Sequence, residues 1–335
     1  MDKIKFAIVG CGRIGKKHIS FIENNPNSTL VSVVDPKVDN INLSMNIKKY
    51  TSIEELLKSN LEIDIVSIAT PNGLHAIQAL KVLKANKNVL IEKPMALDNQ
   101  EAEKIIELSI KKNKKVFIVM QNRFSPTLQW LKKTVDKGIL GKVYLVNINC
   151  FWNRNDQYYS NHEWHGSKQF DGGTLFTQFS HFIDAIYWIF GEFKNIKTKL
   201  YNFNHNTNIE FEDTGNVIFE FESGGLGVLN FTVSSYKKHL ESSVSIIAQN
   251  GNVRIEGQYM DNLKICDIKN YNYEYDDLRI IPEYYKNLNN NDINHALVID
   301  NAINVLKNNI EIQTNAIDGL KVTEIIQKIY EKNKK

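Results

Sequence analysis

The chain has 335 residues, 42% hydrophobic and 24% charged, which suits two globular domains with cores that need no covalent staples. Its 41 basic and 38 acidic residues leave a net charge of +3, too balanced for a nucleic-acid or membrane-surface partner. Cys11, Cys150 and Cys266 are odd in number and widely spaced, so they fit neither a disulfide framework nor a metal site and point to a reducing cytoplasm; no apolar run approaches the ~20 residues of a spanning helix, and the N-terminus enters a strand at once without a signal peptide.

In chain order, Ile4–Gly10 (IKFAIVG) predicts an apolar strand, Ile14–Asn24 a helix and Thr29–Asp35 (TLVSVVD) a second strand. Asp64–Pro71, Asn88–Pro94 and Lys115–Gln121 are further short apolar runs, separated by helical segments at Ser52–Lys58, Gly73–Asn86 and Asn99–Asn113. Ser52 with Glu55, and Asp98 with Glu101, have capping-box spacing. Strands that alternate with helices and are apolar throughout predict a parallel sheet covered on both faces. The first strand runs into Gly10-Cys-Gly12-Arg13-Ile14-Gly15, and Asp35 ends the second strand 20 positions after Gly15. That is the dinucleotide fingerprint: the glycines let the backbone approach a pyrophosphate at a helix N-terminus, and the acid accepts the adenine-ribose hydroxyls. A carboxylate there repels a 2′-phosphate and favours NAD over NADP, an inference that Lys37 weakens. The strand ends that follow carry Thr70, Pro71, Asn72 and His75, then Glu92, Lys93 and Pro94, then Gln121, Asn122 and Arg123. Ligands of open α/β sheets bind at such ends; the alternatives are solvated loops and, for Glu92–Lys93, a surface ion pair.

Farther on, KVYLVNINCFW reads as a strand, GNVIFEFESGGLGVLNFTVSS as two strands joined at Gly224–Gly225, and SVSIIAQNGNVRIEG as a hairpin turning at Asn250-Gly251. The Asn-rich run Asn287–Asn294 reads as a loop and Ala316–Lys332 as a closing helix. Between the first two groups lies Phe170–Gly191, FDGGTLFTQFSHFIDAIYWIFG, a greasy helix in which Thr174, Thr177, Gln178, His181 and Asp184 recur at spacings of three and four. A solvent-facing stripe would be rich in Lys and Glu, as in Glu101–Lys115. Thr, Gln and His bond sugar hydroxyls without fixed charge, so this stripe is expected to line a binding site, with a satisfied core histidine as the alternative for His181.

At GCGRIG, ATPNGLH, EKPMAL and QNRF the sequence resembles the Gfo/Idh/MocA family, and the resemblance runs essentially end to end. It implies a Rossmann domain (1–124) and a substrate-binding and oligomerisation α/β domain (125–335) with a large, mostly antiparallel open sheet. It also implies a bound nicotinamide cofactor, here NAD, contacted by Gly10, Gly12, Arg13, Ile14, Gly15, Asp35, Thr70, Pro71, Asn72, His75, Glu92, Lys93, Gln121, Trp164 and His165. Lys93 and His181 match the family's usual catalytic lysine and histidine. Thr177 stands where the family often has an aspartate, which leaves Lys93 and His181 to divide the proton work; Asp184 could orient the imidazole or pair elsewhere. Where His165 stands, related proteins often carry arginine.

In QNRFSPTLQWLKKTVDKGILGKV, YYSNHEWHGSKQFDGGTLFTQFSHFID and SIIAQNGNVRIEGQYMDNL the chain more narrowly resembles UDP-N-acetylglucosaminuronate 3-dehydrogenases of the WlbA/WbpB type, which implies a nucleotide-sugar substrate of surface-polysaccharide biosynthesis. Its diphosphate needs cations, and Arg123, Arg154 and Lys168 are available. Its rings need a platform, for which Tyr158, Tyr159 and Trp164 are candidates unless they only pack the core. Thr177, Gln178, Lys93 and His181 complete the expected substrate set. An inositol or polyol dehydrogenase and an NAD-using glycosidase are the alternatives. Copies of the chain are expected to pair as dimers or tetramers through the open sheet, with the apolar alternation in VIFEF and GVLNFTV as the candidate surface.

Overall fold

The computed structural model describes residues 2–41, 43–161, 164–273 and 279–333. They divide into two compact units: Met1–Gln121 with Ile281–Thr323, and Asn122–Ile280 with Glu324–Lys335.

The first unit begins β1 (Ile4–Val9), α1 (Arg13–Asn24), β2 (Ser28–Val34), β3 (Lys48–Tyr50), α2 (Ile53–Lys58), β4 (Ile65–Ile68), α3 (His75–Lys84), β5 (Asn88–Glu92), α4 (Asn99–Lys112) and β6 (Val116–Val119). Its sheet has the order β3-β2-β1-β4-β5-β6, and every pairing is parallel. Both faces are covered, which is why Phe6–Val9, Ile65–Ile68 and Val116–Val119 are buried at consecutive positions rather than alternate ones. The order reverses between β1 and β4, and in open α/β sheets ligands bind beyond the strands' carboxyl ends at such a reversal. The expected helix caps form. Ser52 accepts the Glu55 N–H and Asp98 accepts those of Gln100 and Glu101. Glu55 reaches back one residue farther than a capping box requires, to the N–H and hydroxyl of Thr51.

The second unit contains α5 (Pro126–Asp136), β7 (Val143–Phe151), α6 (Asp156–Ser160), a π-helical turn at Leu175–Phe179, α7 (Ser180–Phe190), and strands β8 (Phe193–Tyr201), β9 (Thr214–Phe221), β10 (Leu226–Thr232), β11 (Glu241–Ala248), β12 (Gly251–Glu256) and β13 (Asn262–Ile268). Its sheet runs β13-β12-β11-β7-β10-β9-β8, antiparallel except for β7 with β10. The apolar alternation in β9 and β10 points inward: Val217, Phe219, Phe221, Leu229 and Phe231 are buried, and Phe179 and Phe190 pack on Phe231 and Phe221 with ring centroids 5.5 and 5.4 Å apart. The pairing surface expected from that alternation is therefore this unit's own core. The other face is mixed, with exposed Ile218 and Leu226 beside a polar ladder in which Asn216 donates to Asn230 at 2.7 Å and Asn230 to Asn149 at 3.0 Å.

The remaining helices are α8 (Asn290–Asn308) and α9 (Ala316–Asn333). The boundary expected at 124/125 falls at 121/122, and Ile281–Thr323 belongs with the first unit. The reason is burial: α8 lies against α1, β1 and β6 with Ile293, Ala296, Ile299 and Ile303 inside. The Asn-rich run read as a loop supplies the start of this helix. Asn289 is its cap, accepting the Asp292 N–H at 3.0 Å, and asparagine favours that position because its side chain replaces a missing helical acceptor. Among the described residues no helix is long and apolar enough to cross a membrane.

Within the second unit Glu212 is buried and accepts the Tyr330 hydroxyl at 2.7 Å, while that hydroxyl accepts the Leu175 N–H at 3.2 Å. Burial outweighs these bonds and raises the Glu212 pKa to about 7. The unfolded chain ionises near 4.5 while the fold retains the proton, so this group's contribution to stability falls as pH rises from 4.5 to 7. The penalty reaches about 3 kcal/mol above pH 7. Glu212→Gln should therefore raise the melting temperature at pH 8 more than at pH 5. Thermal scans at the two pH values check this, and an equal change at both would show that Glu212 ionises normally.

Candidate active site

In the first unit, the turn from β1 into α1 has the shape a dinucleotide requires. Gly10 has φ +90°, and a Cβ there would meet the Ala69 carbonyl oxygen at 2.6 Å; a Cβ on Gly15 would meet the Gly10 carbonyl oxygen at 1.9 Å. Gly12 faces open space, with nothing within 4 Å of where its Cβ would stand. A pyrophosphate has room there, at the N-terminus of a 12-residue helix with no acid in its first turn. Gly12 and Arg13 are exposed and Ile14 is half-buried. Asp35 lies just past β2, and its carboxylate accepts the backbone N–H of Cys11 and of Lys37, both at 2.9 Å. Those bonds fix the carboxylate while each oxygen keeps a lone pair for a ribose hydroxyl. The residues present fit NAD.

The other strand-end residues separate into two groups. Thr70, Pro71 and Lys93 are half-buried, and the Thr70 hydroxyl donates to Gln78 at 2.7 Å. Asn72, His75, Glu92 and Gln121 are buried. His75 lies between the carbonyls of Pro94 and Thr70, at 2.7 and 2.8 Å, and burial lowers its pKa. Glu92 turns inward to His18 at 3.0 Å, so it is neither a surface ion pair nor an exposed cofactor contact. His75 and Glu92 are thus held inside the first unit by its own groups.

In the second unit, the Phe170–Gly191 segment is not one regular helix. The π-helical turn at Leu175–Phe179 changes the angular spacing before α7 begins, and such turns recur at functional sites. The expected stripe is divided as a result. Thr174 is buried and its hydroxyl donates to the Glu212 carbonyl at 2.5 Å. Asp184 is buried and receives Arg123, with Nη2 to Oδ1 at 2.6 Å and Nε to Oδ1 at 3.1 Å. Arg123 is itself buried, and pulling it from this pair toward a diphosphate would leave a bare interior carboxylate; it belongs to the fold, not to the substrate set. Thr177 and His181 remain half-buried.

Gln178 joins the stripe to the loop after β7. Its oxygen accepts Arg154 Nε at 2.9 Å, and its nitrogen donates to the Tyr158 hydroxyl at 2.8 Å. The Arg154 guanidinium lies 4.8 Å from the Tyr158 ring centre and 5.2 Å from that of Trp152. His165 stacks on Tyr158 at 4.4 Å and 11°, with the Trp164 ring edge-on at 4.1 Å. These residues form one polar and aromatic surface. Tyr159 is buried against His205 at 5.3 Å and is a core residue. Lys168 is exposed, and its backbone N–H donates to Glu210 at 2.6 Å.

Two groups escaped the sequence reading. Asp171 is buried, accepts the Gly166 N–H at 2.9 Å and receives the Thr177 hydroxyl. A carboxylate thus stands behind the threonine that occupies the family's aspartate position; the Asp-Gly-Gly of the turn was its only local signal. His205 and Asp213 clamp the loop before β9: Asp213 accepts the N–H groups of Phe203 and Asn204 at 3.1 and 2.7 Å, and His205 Nε2 donates to the Arg154 carbonyl at 2.7 Å. Burial works against the charged His205, but Asp213 outweighs it and raises the pKa.

A six-stranded doubly wound unit with an open glycine turn and an acid just past its second strand, joined in one chain to a mostly antiparallel sheet unit, defines an NAD-binding oxidoreductase. Residues 4–120 match the NAD-binding Rossmann fold of an oxidoreductase family, and residues 128–254 match the GFO/IDH/MocA C-terminal domain. The chain belongs to the GFO/IDH/MocA oxidoreductase family. It is similar to the WlbA dehydrogenase from Bordetella pertussis, solved in complex with NADH and UDP-GlcNAcA, at 30% identity and TM-score 0.91 over 99% of this chain and 96% of that one. The corresponding complex from Chromobacterium violaceum is 31% identical, with TM-score 0.87 over 100% of this chain and 94% of that one. Oxidoreductase P35 from Formosa agariphila is 32% identical over 203 residues, and the match spans 58% of this chain and 63% of that relative.

Proposed function

We propose that this chain oxidises a secondary hydroxyl of a nucleotide sugar with NAD as acceptor, and that the substrate is UDP-N-acetylglucosaminuronic acid, oxidised at C3, in surface-polysaccharide biosynthesis. The observation that carries this reading is the end-to-end likeness to two WlbA dehydrogenases solved with NADH and UDP-GlcNAcA. Lys93 and His181 stand at the positions that the family resemblance assigns to catalysis. Bound NAD would supply the hydride acceptor. The chain's own part is to place the carbinol, accept its proton and steady the alkoxide. Lys93 and His181 handle the proton. Arg154, fixed by Gln178, is the cation for the anionic part of the substrate, and Tyr158, His165 and Trp164 are the platform for its rings.

A screen of UDP-N-acetylglucosaminuronic acid, other UDP-sugars, free sugars and inositols with NAD tests the proposal. The expected result is NADH absorbance and a product two hydrogens lighter with the uronic acid alone. Turnover of inositol instead would make the chain a polyol dehydrogenase. Free sugar released without net NADH would make it an NAD-using glycosidase.

Cofactor choice follows from Asp35. Bringing a 2′-phosphate beside this carboxylate costs more than ~1.4 kcal/mol, so NAD should bind at least ~10-fold more tightly than NADP. Titration of both cofactors checks this, and equal affinities would remove Asp35 from its role.

A further inference from the structure

Glu92 ends β5 one residue before Lys93 and is buried. Its Oε1 lies 3.0 Å from Nε2 of His18 and 3.7 Å from Nε2 of His295, and its Oε2 accepts the Lys93 backbone N–H at 3.2 Å. His18 Nδ1 meets the Ser67 hydroxyl at 2.8 Å. Thus α1 and α8 each bring a histidine to one carboxylate at the end of β5, β4 supplies the hydroxyl that holds the first of them, and His18, Ser67 and His295 are all buried. A carboxylate in such surroundings normally takes up a proton. Here the burial penalty is outweighed, first by His18 and then by His295 and Lys93, and the Glu92 pKa falls to about 2. Burial pushes His295 down to about 4 although Glu92 pulls the other way, so at pH 7 its 3.7 Å contact is dipolar and not an ion pair. The other charged groups here are Lys17 on α1 and Asp292 on α8, which pair with each other at 2.5 Å; His75 on α3 faces the Pro94 carbonyl.

An apolar residue would fill this interior position at less cost than a charge. The charge does something packing does not: it sits against the backbone of the proposed catalytic lysine. We propose that Glu92, supported by His18 and His295, is a positioning residue that anchors Lys93 and keeps its ammonium charged in the resting enzyme. Lys93 is then the donor that steadies the developing alkoxide, and His181 is the base. This rests on the proposed function only in giving Lys93 a catalytic task; the charge on Lys93 is measurable without any substrate.

The experiment is the pH dependence of Lys93 acetylation by acetic anhydride in the full-length chain, read by peptide mass spectrometry with exposed Lys84 and Lys111 as internal references. In the unchanged chain the Lys93 midpoint should lie at or above the references. Glu92→Gln should lower it by at least about half a pH unit and leave the references in place. His18→Leu removes the side chain that faces Glu92 Oε1 at 3.0 Å and should move the midpoint the same way, and His18→Gln, which keeps a donor, should restore it. A wild-type midpoint well below the references overturns the proposal whether or not the variants fold. So does an unmoved midpoint in a folded Glu92→Gln or His18→Leu chain. Neither result bears on which sugar is oxidised, and a failed substrate screen leaves the Lys93 midpoint as it was.

Discussion

Lys93→Met should lower turnover by roughly 100- to 1,000-fold while NAD stays bound. The magnitude is that of losing a donor aimed at developing negative charge, a loss of about 3–4 kcal/mol in the transition state. Methionine keeps most of the side chain's length and removes only the ammonium. Cofactor binding should survive because the glycine turn at Gly10–Gly15 and Asp35, the places proposed to hold the dinucleotide, lie at the ends of other strands. The measurements are kcat by NADH absorbance and NAD affinity by fluorescence titration. Turnover within tenfold of the unchanged chain would take Lys93 out of the reaction, and lost NAD affinity with a lowered melting temperature would make it a structural residue.

His181→Asn should cost roughly 100- to 10,000-fold in turnover, the usual contribution of a positioned general base. Asparagine keeps a polar group of similar reach but has no titrating nitrogen. The acid limb of the pH–rate profile should therefore disappear along with most of the rate. If rate and profile are both unchanged, His181 only positions the substrate and the base must be sought elsewhere. If the chain unfolds, His181 is a core residue; its half-buried place on α7, beside fully buried Phe182 and Asp184, argues against that.

Much of the first unit was legible because its signals are local. Glycine spacing, an acid at the end of the second strand, capping residues and apolar runs depend on neighbours within a few positions, and the parallel sheet follows from their alternation. The turn from β1 to α1 and the place of Asp35 came out as read. The helix α8 did not, because its first three residues are Asn and Asp and its buried face carries Asn294, His295 and Asn301 among the apolar residues. A polar composition masks the periodicity by which a helix is recognised.

For the site, the sequence by itself determined which kinds of side chain are present: cations, hydroxyls, carboxylates and imidazoles at strand ends and on one apolar segment. Only the tertiary structure decided which of them the fold itself engages. Arg123 looked like a free cation until Asp184, 61 residues on, was seen to hold it. Glu92 looked like half of a surface pair until His18 and His295, from opposite ends of the first unit's sequence, closed over it. Thr177 looked like a missing carboxylate until Asp171 was found behind it. The physical reason is common to the three cases: a buried polar group must find a partner, and the partner is chosen by proximity in the folded chain, which local periodicity does not encode.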